Sequence, residues 1–243
     1  MFLPDNLGTN RPNERDPSSR SVWFKDLTTG EEVRLMQVEN PDFAVGQLAA
    51  SPTEDLLAFT EANDTFLVER NILLVRPSGR GLRYLTTDGK SYSPSFSPDG
   101  RTVVMEKDGP DVCTGGLWTK GIDGTGLDRF FRNSCEMRLS RPVWIDDHRV
   151  VAQWRQPRPV GGFSVERGLV IVDTRTGDVG APIVEGPVTS YAVSRERRLI
   201  AYRTVRGRIG VYDVETGRAT RVPGGRRLPG TYLHLDGALE LSP

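Results

Sequence analysis

Histidine is almost missing from this 243-residue chain, which has two, and cysteine is equally scarce. The two cysteines, Cys113 and Cys135, are too few for a disulfide scaffold. They form no C-x-x-C pair and have no histidine at zinc-ligand spacing. The pattern argues against a structural zinc site, and no metal or cofactor is expected. His148 and His234 lie far apart, which leaves a Ser-His-Asp site few centres. A G-x-S-x-G elbow is lacking, because the stretch Gly162–Glu166 has no second glycine. A surplus of either charge is also missing: 32 Lys+Arg balance 32 Asp+Glu. That removes the phosphate-neutralising excess of a general nucleic-acid binder, although a local patch stays open. No apolar run approaches the roughly 18 residues that would suggest a membrane span. The opening MFLPDNLGTN has neither a basic n-region nor an apolar h-region. The chain therefore reads as a mature form without its signal peptide, or as a cytoplasmic protein. Apolar residues show no sustained 3.6-residue spacing, so little helix is expected.

Turns, by contrast, are abundant. The chain has 26 glycines and 17 prolines, together above the usual share of about 12%. Many recur with a period of roughly 40–50 residues, a length typical of repeat architectures. The clearest unit is Tyr92–Met105, a strand, a Pro-Asp-Gly turn and a second strand. In that turn Pro presets φ, Asp bonds its own backbone and Gly takes φ > 0. Degenerate copies are Leu48–Phe59, Pro142–Ala152, Tyr191–Tyr202 and Tyr232–Leu241. A second half-unit alternates with the first: Val22–Gly30, Ile72–Gly79, Leu117–Gly124, Leu169–Gly177 and Gly210–Gly217. Each is a β-rich run ending at a glycine turn, a hairpin signature.

Two hairpins per repeat make a four-stranded antiparallel unit, the mark of a β-propeller. Four complete repeats run from about Phe43 to Gly224. The N-terminal stretch Ser21–Leu35 is a second hairpin with no first, and Thr231–Leu241 is a first hairpin with no second. The expectation is an all-β, five-bladed propeller over residues 21–243, its fifth blade shared between the termini. Such closure would remove two exposed sheet edges. Residues 1–20, rich in proline, glycine and charge, read as a flexible arm.

The Tyr92–Gly100 unit, with its Phe96-Ser-Pro-Asp-Gly100, resembles the WD40-like repeat of TolB-type propellers. Leu117–Gly124 is similar to that family's outer-strand motif. TolB-type propellers usually have six blades, one more than the repeats counted here. The resemblance implies a binding or scaffold module, often found outside the bacterial cytoplasm, and carries no catalytic residues.

Long loops on a rigid scaffold are where function concentrates. Here they fall between the second and third strands of each unit and between units: Glu61–Glu69, Lys107–Gly115, Trp154–Glu166, Thr204–Arg208, Asp88–Tyr92, Asn133–Arg138, Gly186–Thr189 and Leu228–Tyr232. All belong to one face of the ring. The candidate ligand residues on or near it are Tyr92, Asp111, Arg138, Trp154, Arg158, Tyr191, Arg206, Tyr232 and His234. Arg138, Arg141, Arg158 and Arg206 form a basic mouth for an anionic ligand, or else are scattered solvated charges. Trp154 opens a Pro- and Arg-rich loop that suits recognition, or ends a strand. Trp23, Trp118 and Trp144 repeat at strand positions and are expected in the core. Cys113 and Cys135 fall in neighbouring loops of that same face, so a disulfide between them would staple it. Such a bond implies an oxidising compartment, periplasmic or extracellular, whereas free thiols would imply a cytoplasmic protein.

Glycoside hydrolysis ordinarily needs paired carboxylates facing across a site. The expected innermost strands (Ala44–Ala50, Tyr92–Ser97, Leu139–Ile145, Thr189–Val193 and Thr231–Leu235) contain no Asp or Glu. The loop acids Asp64, Asp108, Asp111 and Glu136 remain within reach of the mouth. The leading expectation is a monomeric, non-catalytic module that recognises a protein or small ligand on its long-loop face. The alternative is an enzyme acting on a small molecule in the central funnel.

Overall fold

The computed structural model describes residues 21–25, 28–37, 43–63, 69–111, 113–157, 165–194 and 196–222. The arm at 1–20 and the hairpin at 231–241 lie outside these residues. Eighteen strands are described and no helix. The first two, β1 (Ser21–Lys25) and β2 (Glu32–Gln37), form a two-stranded sheet. Four four-stranded antiparallel blades follow. Blade 1 holds β3 (Phe43–Ala50), β4 (Leu57–Asn63), β5 (Arg70–Val75) and β6 (Arg83–Tyr84). Blade 2 holds β7 (Ser91–Phe96), β8 (Thr102–Asp108), β9 (Gly115–Gly121) and β10 (Leu127–Arg132). Blade 3 comprises β11 (Arg138–Trp144), β12 (Arg149–Gln156), β13 (Val165–Asp173) and β14 (Val184–Glu185). Blade 4 comprises β15 (Val188–Val193), β16 (Leu199–Thr204), β17 (Ile209–Asp213) and β18 (Arg218–Arg221). The architecture is therefore an all-β propeller with four complete blades and a half-blade among the described residues, in place of five blades in a closed ring. The expected fifth blade is not seen among the described residues: β1 and β2 form a two-stranded sheet of their own, and the hairpin read at 231–241 lies outside them.

First strands of neighbouring blades touch one another, so they line the centre. The second strands β4, β8 and β12 are apolar on both faces because a sheet packs on either side. Val103 and Met105 of β8 pack toward blade 1, while Val104 between them joins the cluster shared with blade 3. On β12, Val150 and Ala152 face blade 2 and Val151 faces blade 4. This explains consecutive apolar runs in strands whose side chains alternate. The outermost strands β6, β10 and β18 are largely exposed.

The half-blade packs on blade 1 through Val22 and Leu35, which cluster with Leu57, Phe59, Leu73 and Val75. Period-two alternation then turns Trp23 away, and it is 40% exposed with the Arg34 guanidinium over its ring. Trp23 is thus not the core residue expected from its strand position. Trp144 is buried, and Trp118 packs at the edge of the cluster between blades 1 and 2.

Polar contacts recur at the junctions. The first strands of blades 1 to 3 each carry a register shift with a non-glycine residue at positive φ: Gln47, Ser93 and Arg141. Such bulges displace backbone groups from the ladder. A buried polar residue on the second strand of the preceding blade meets two of these bulges. Thr60 Oγ1 accepts the Ser93 N–H (3.2 Å), and Glu106 Oε1 accepts the Arg141 N–H (2.6 Å). At the third junction Gln153 Nε2 donates to the Val188 carbonyl, one residue before that blade's register shift (2.5 Å). On the turn face, Arg197 takes the place of the turn glycine at φ 57°. Its guanidinium reaches the Trp144 carbonyl of blade 3 (2.7 Å) and the Phe96 carbonyl of blade 2 (3.4 Å). Burial lowers its pKa, with Asp147 opposing that shift. The side chain therefore lies across the turn end of the inner strands.

Candidate functional site at the loop face

Antiparallel blades place the ends of second strands and the starts of first and third strands on one face. Four side chains from three blades meet there. Asp108, the last residue of β8, accepts the Tyr92 hydroxyl from β7 (2.8 Å). It also accepts Arg138 Nη2 from β11 (3.1 Å) and Arg70 Nη1 from β5 (3.2 Å). Arg138 Nη2 donates as well to the Tyr92 oxygen (2.8 Å). The Arg70 guanidinium stacks over the Tyr92 ring at 4.6 Å. Backbone bonds fix these positions: Arg70 N donates to the Gly89 carbonyl and Asp108 N to the Lys90 carbonyl. Below lies Glu106, 4% exposed, which accepts the Ser93 hydroxyl (2.8 Å) and the Arg141 N–H.

Burial, aided by the carboxylates of Glu106 and Asp108, pushes the Tyr92 pKa far above its ordinary value. Tyr92 is therefore a permanent hydrogen-bond donor at neutral pH. Burial works against the charge of Arg138, but Tyr92, Glu106 and Asp108 together outweigh it and raise its pKa. Because the folded state holds the Tyr92 proton more tightly than the unfolded chain, this contribution to stability is intact below the ordinary tyrosine value near pH 10. It is lost as pH rises toward the folded value, with a slope of up to about 1.4 kcal/mol per pH unit. Urea unfolding between roughly pH 9.5 and 11.5 is expected to show this decline, and Tyr92→Phe is expected to flatten it. The residual slope belongs partly to Tyr84, whose pKa is raised first by its hydrogen bond to Glu61.

Of the residues singled out in the sequence, the structure brings together Tyr92, Arg138 and the loop acid Asp108. Asp111 is exposed in the β8–β9 loop, where its carboxylate caps the Cys113 N–H (2.8 Å). Trp154 lies within β12, half-buried against the cluster between blades 2 and 3, and its indole N–H is buried with no partner among the described residues. Tyr191 is 8% exposed and donates its hydroxyl to the Arg141 carbonyl. Arg206 is exposed in the β16–β17 turn of the same face. Arg158, Tyr232, His234 and Asp64 lie outside the described residues. Sequence reasoning missed Arg70 and Glu106. Arg70 opens a third strand with no motif around it. Glu106 sits one residue beyond an apolar run, on a second strand rather than an innermost one.

Cys113 and Cys135 form a disulfide that links the β8–β9 loop to the crossing into blade 3. Asn133, buried beside it, donates its N–H to the Gly115 carbonyl and accepts the Leu139 N–H through its side chain. The clasp thus braces the segments that carry Asp108 and Arg138. Replacing both cysteines by serine is expected to lower unfolding stability by about 3 kcal/mol, through loop entropy returned to the unfolded chain. A urea denaturation curve under non-reducing conditions measures the loss.

No protein-family profile matches the chain. A stretch of 83 residues is 34% identical to the Tol-Pal system protein TolB of Nitratidesulfovibrio vulgaris, covering 34% of this chain and 18% of that one. TolB from Acinetobacter baumannii superposes over 86% of this chain and 50% of its own, with a TM-score of 0.63 at 16% identity. The architecture is that of the TolB-type propellers. Other similar structures are the tricorn protease (TM-score 0.62, 14% identity, 86% of this chain and 25% of that one) and an oligogalacturonate lyase from Vibrio parahaemolyticus (0.61, 14%, 84% and 60%). At these identities the likeness is one of fold. The chain spans half the length of the Acinetobacter TolB. Among the described residues no helix is long and apolar enough to cross a membrane.

Proposed function

We propose that this chain is a non-catalytic binding or scaffold propeller whose partner docks on the long-loop face. The observation that carries the reading is the convergence of Arg70, Tyr92, Asp108 and Arg138, from three blades, at the edge of a disulfide-braced surface. Similarity over 83 residues to the Tol-Pal system protein TolB supports a protein partner. The disulfide supports an extracytoplasmic location. Ring closure belongs to the same reading. Among the described residues β1 pairs with β2. Trp23 faces away from blade 1, and Ile209 and Val222 at the far end of blade 4 are 37% and 39% exposed. Residues 231–241 would complete the fifth blade against β1 and cover these side chains.

A photo-crosslinking residue placed at Arg206 or Glu136, on the loop face, is expected to trap a specific partner from an extract of the source cells. The same residue at Asp123 or Glu215, on the turn face, is expected to trap none. Equal capture from both faces would refute the proposed face. Truncation after Arg221 is expected to lower the melting temperature; an unchanged melt would refute closure.

A further inference from the structure

Arg70 and Arg138 reach Asp108 from opposite sides, one from blade 1 and one from blade 3. Each spends little of its capacity. A guanidinium carries five N–H donors in a rigid fork. Among the described residues, Arg138 bonds only through Nη2 and Arg70 only through Nη1. Their side chains are 21% and 32% exposed, so the unspent donors lie at the rim rather than in the core. Both are held in place before any ligand arrives, Arg70 by the Tyr92 ring and Arg138 by the Tyr92 hydroxyl. Preorganisation of this kind reduces the entropy lost on binding.

The local charge selects the ligand. At the rim two guanidinium groups flank one carboxylate, and Glu106 beneath brings the four charges into balance. Glu106 lies beneath, buried and engaged by Ser93 and the Arg141 N–H. A monoanion can meet the two guanidinium groups at the rim while setting only one like charge against Asp108 and Glu106, whereas a phosphate dianion would set two. Asp108 takes one nitrogen from each guanidinium, which leaves the rest of each fork for a further planar carboxylate, the pairing to which guanidinium geometry is best suited.

We infer that Arg70 and Arg138 form a two-armed receptor for a carboxylate presented by the protein partner, seated beside Asp108. This rests on the loop-face reading above. The carboxylate is either an acidic side chain or a chain terminus.

The test is NMR of the arginine side chains in the full chain, with Arg70→Lys and Arg138→Lys assigning the signals. N-acetylaspartate N-methylamide probes a side-chain carboxylate and N-acetylglycine a terminal one. N-acetylglycine N-methylamide is the neutral control, and inorganic phosphate the dianion. Saturable shifts of both arginines with at least one carboxylate are expected, and none with the neutral amide. Affinity is expected to weaken about tenfold in either lysine variant, since lysine keeps the charge and loses the fork. No saturable shift, equal affinity in variants that retain the wild-type melting temperature, or tighter binding of phosphate would each overturn the inference. Partner capture on the loop face that persists in both variants would leave the binding surface standing and remove only this receptor.

Discussion

Glu106→Ala is expected to destabilise the protein by about 3 kcal/mol, because it strands two buried donors at once. One acceptor atom, Glu106 Oε1, takes the Ser93 hydroxyl at 2.8 Å and the Arg141 N–H at 2.6 Å. The first bond lies within blade 2 and the second crosses to blade 3, at residues forced out of the ladder by their bulges. Neither donor has a ladder partner to return to, and the site is too buried for bulk water to replace the carboxylate. Glu106→Gln keeps a carbonyl oxygen in place and is expected to cost about 1 kcal/mol, near the net worth of one hydrogen bond. Urea denaturation of both variants, with amide exchange at Arg141, separates loss of this junction from general loosening. Equal stability of Glu106→Ala and wild type would remove the junction contact as a determinant of the fold.

The second large effect is expected at Gly168, and it is steric. Gly168 has φ 145°, and a Cβ there would overlap the Val184 carbonyl in the backbone of β14. Gly116 repeats the arrangement in blade 2 at φ 153°, against the Phe131 carbonyl. The neighbour in both cases is main chain, which cannot rotate aside. Gly168→Ala is expected to cost about 3 kcal/mol or more, combining backbone strain with overpacking. The damage should centre on β14, which is only two residues long and contributes buried Val184 to the cluster between blades 3 and 4. Gly186→Ala provides the contrast, since φ is 88° there but nothing lies within 4 Å of the added carbon. It is expected to cost only about 1 kcal/mol, the conformational part alone. Thermal melts of the two variants decide whether close approach or dihedral angle matters more.

The repeat was legible because local chemistry repeats with it. Asp99 shows this: its side chain accepts the Ser97 hydroxyl and the Arg101 N–H, and the serine hydroxyl accepts the Thr102 N–H. A turn of this kind is specified by four adjacent residues. The same holds at Asp173 and Asp213, each of which caps the N–H groups two and three residues on. The apolar runs of the second strands were equally readable, since burial on both faces suppresses alternation. The disulfide followed from the positions of two loops on one face.

The shared site was only half legible. Tyr92 and Arg138 stood out as a tyrosine and an arginine at the starts of inner strands. Their meeting point, Asp108, was one loop acid among several, and Arg70 carried no local signal. Contacts such as Arg70 to Asp108 span 38 residues and depend on how one blade is rotated against the next. Trp23 was misplaced for a related reason, because a strand pattern gives two faces without saying which one has a neighbour.

Scarce histidine, two cysteines and balanced charge argued against a zinc scaffold and a general polyanion binder. Turn chemistry and strand period, acting over a few residues each, determined the β hairpins and their repetition from blade to blade. The tertiary structure alone decided which charges within that neutral total are brought together. Coulomb and hydrogen-bond energies depend on distances of a few ångströms between blades, and no local pattern encodes those distances.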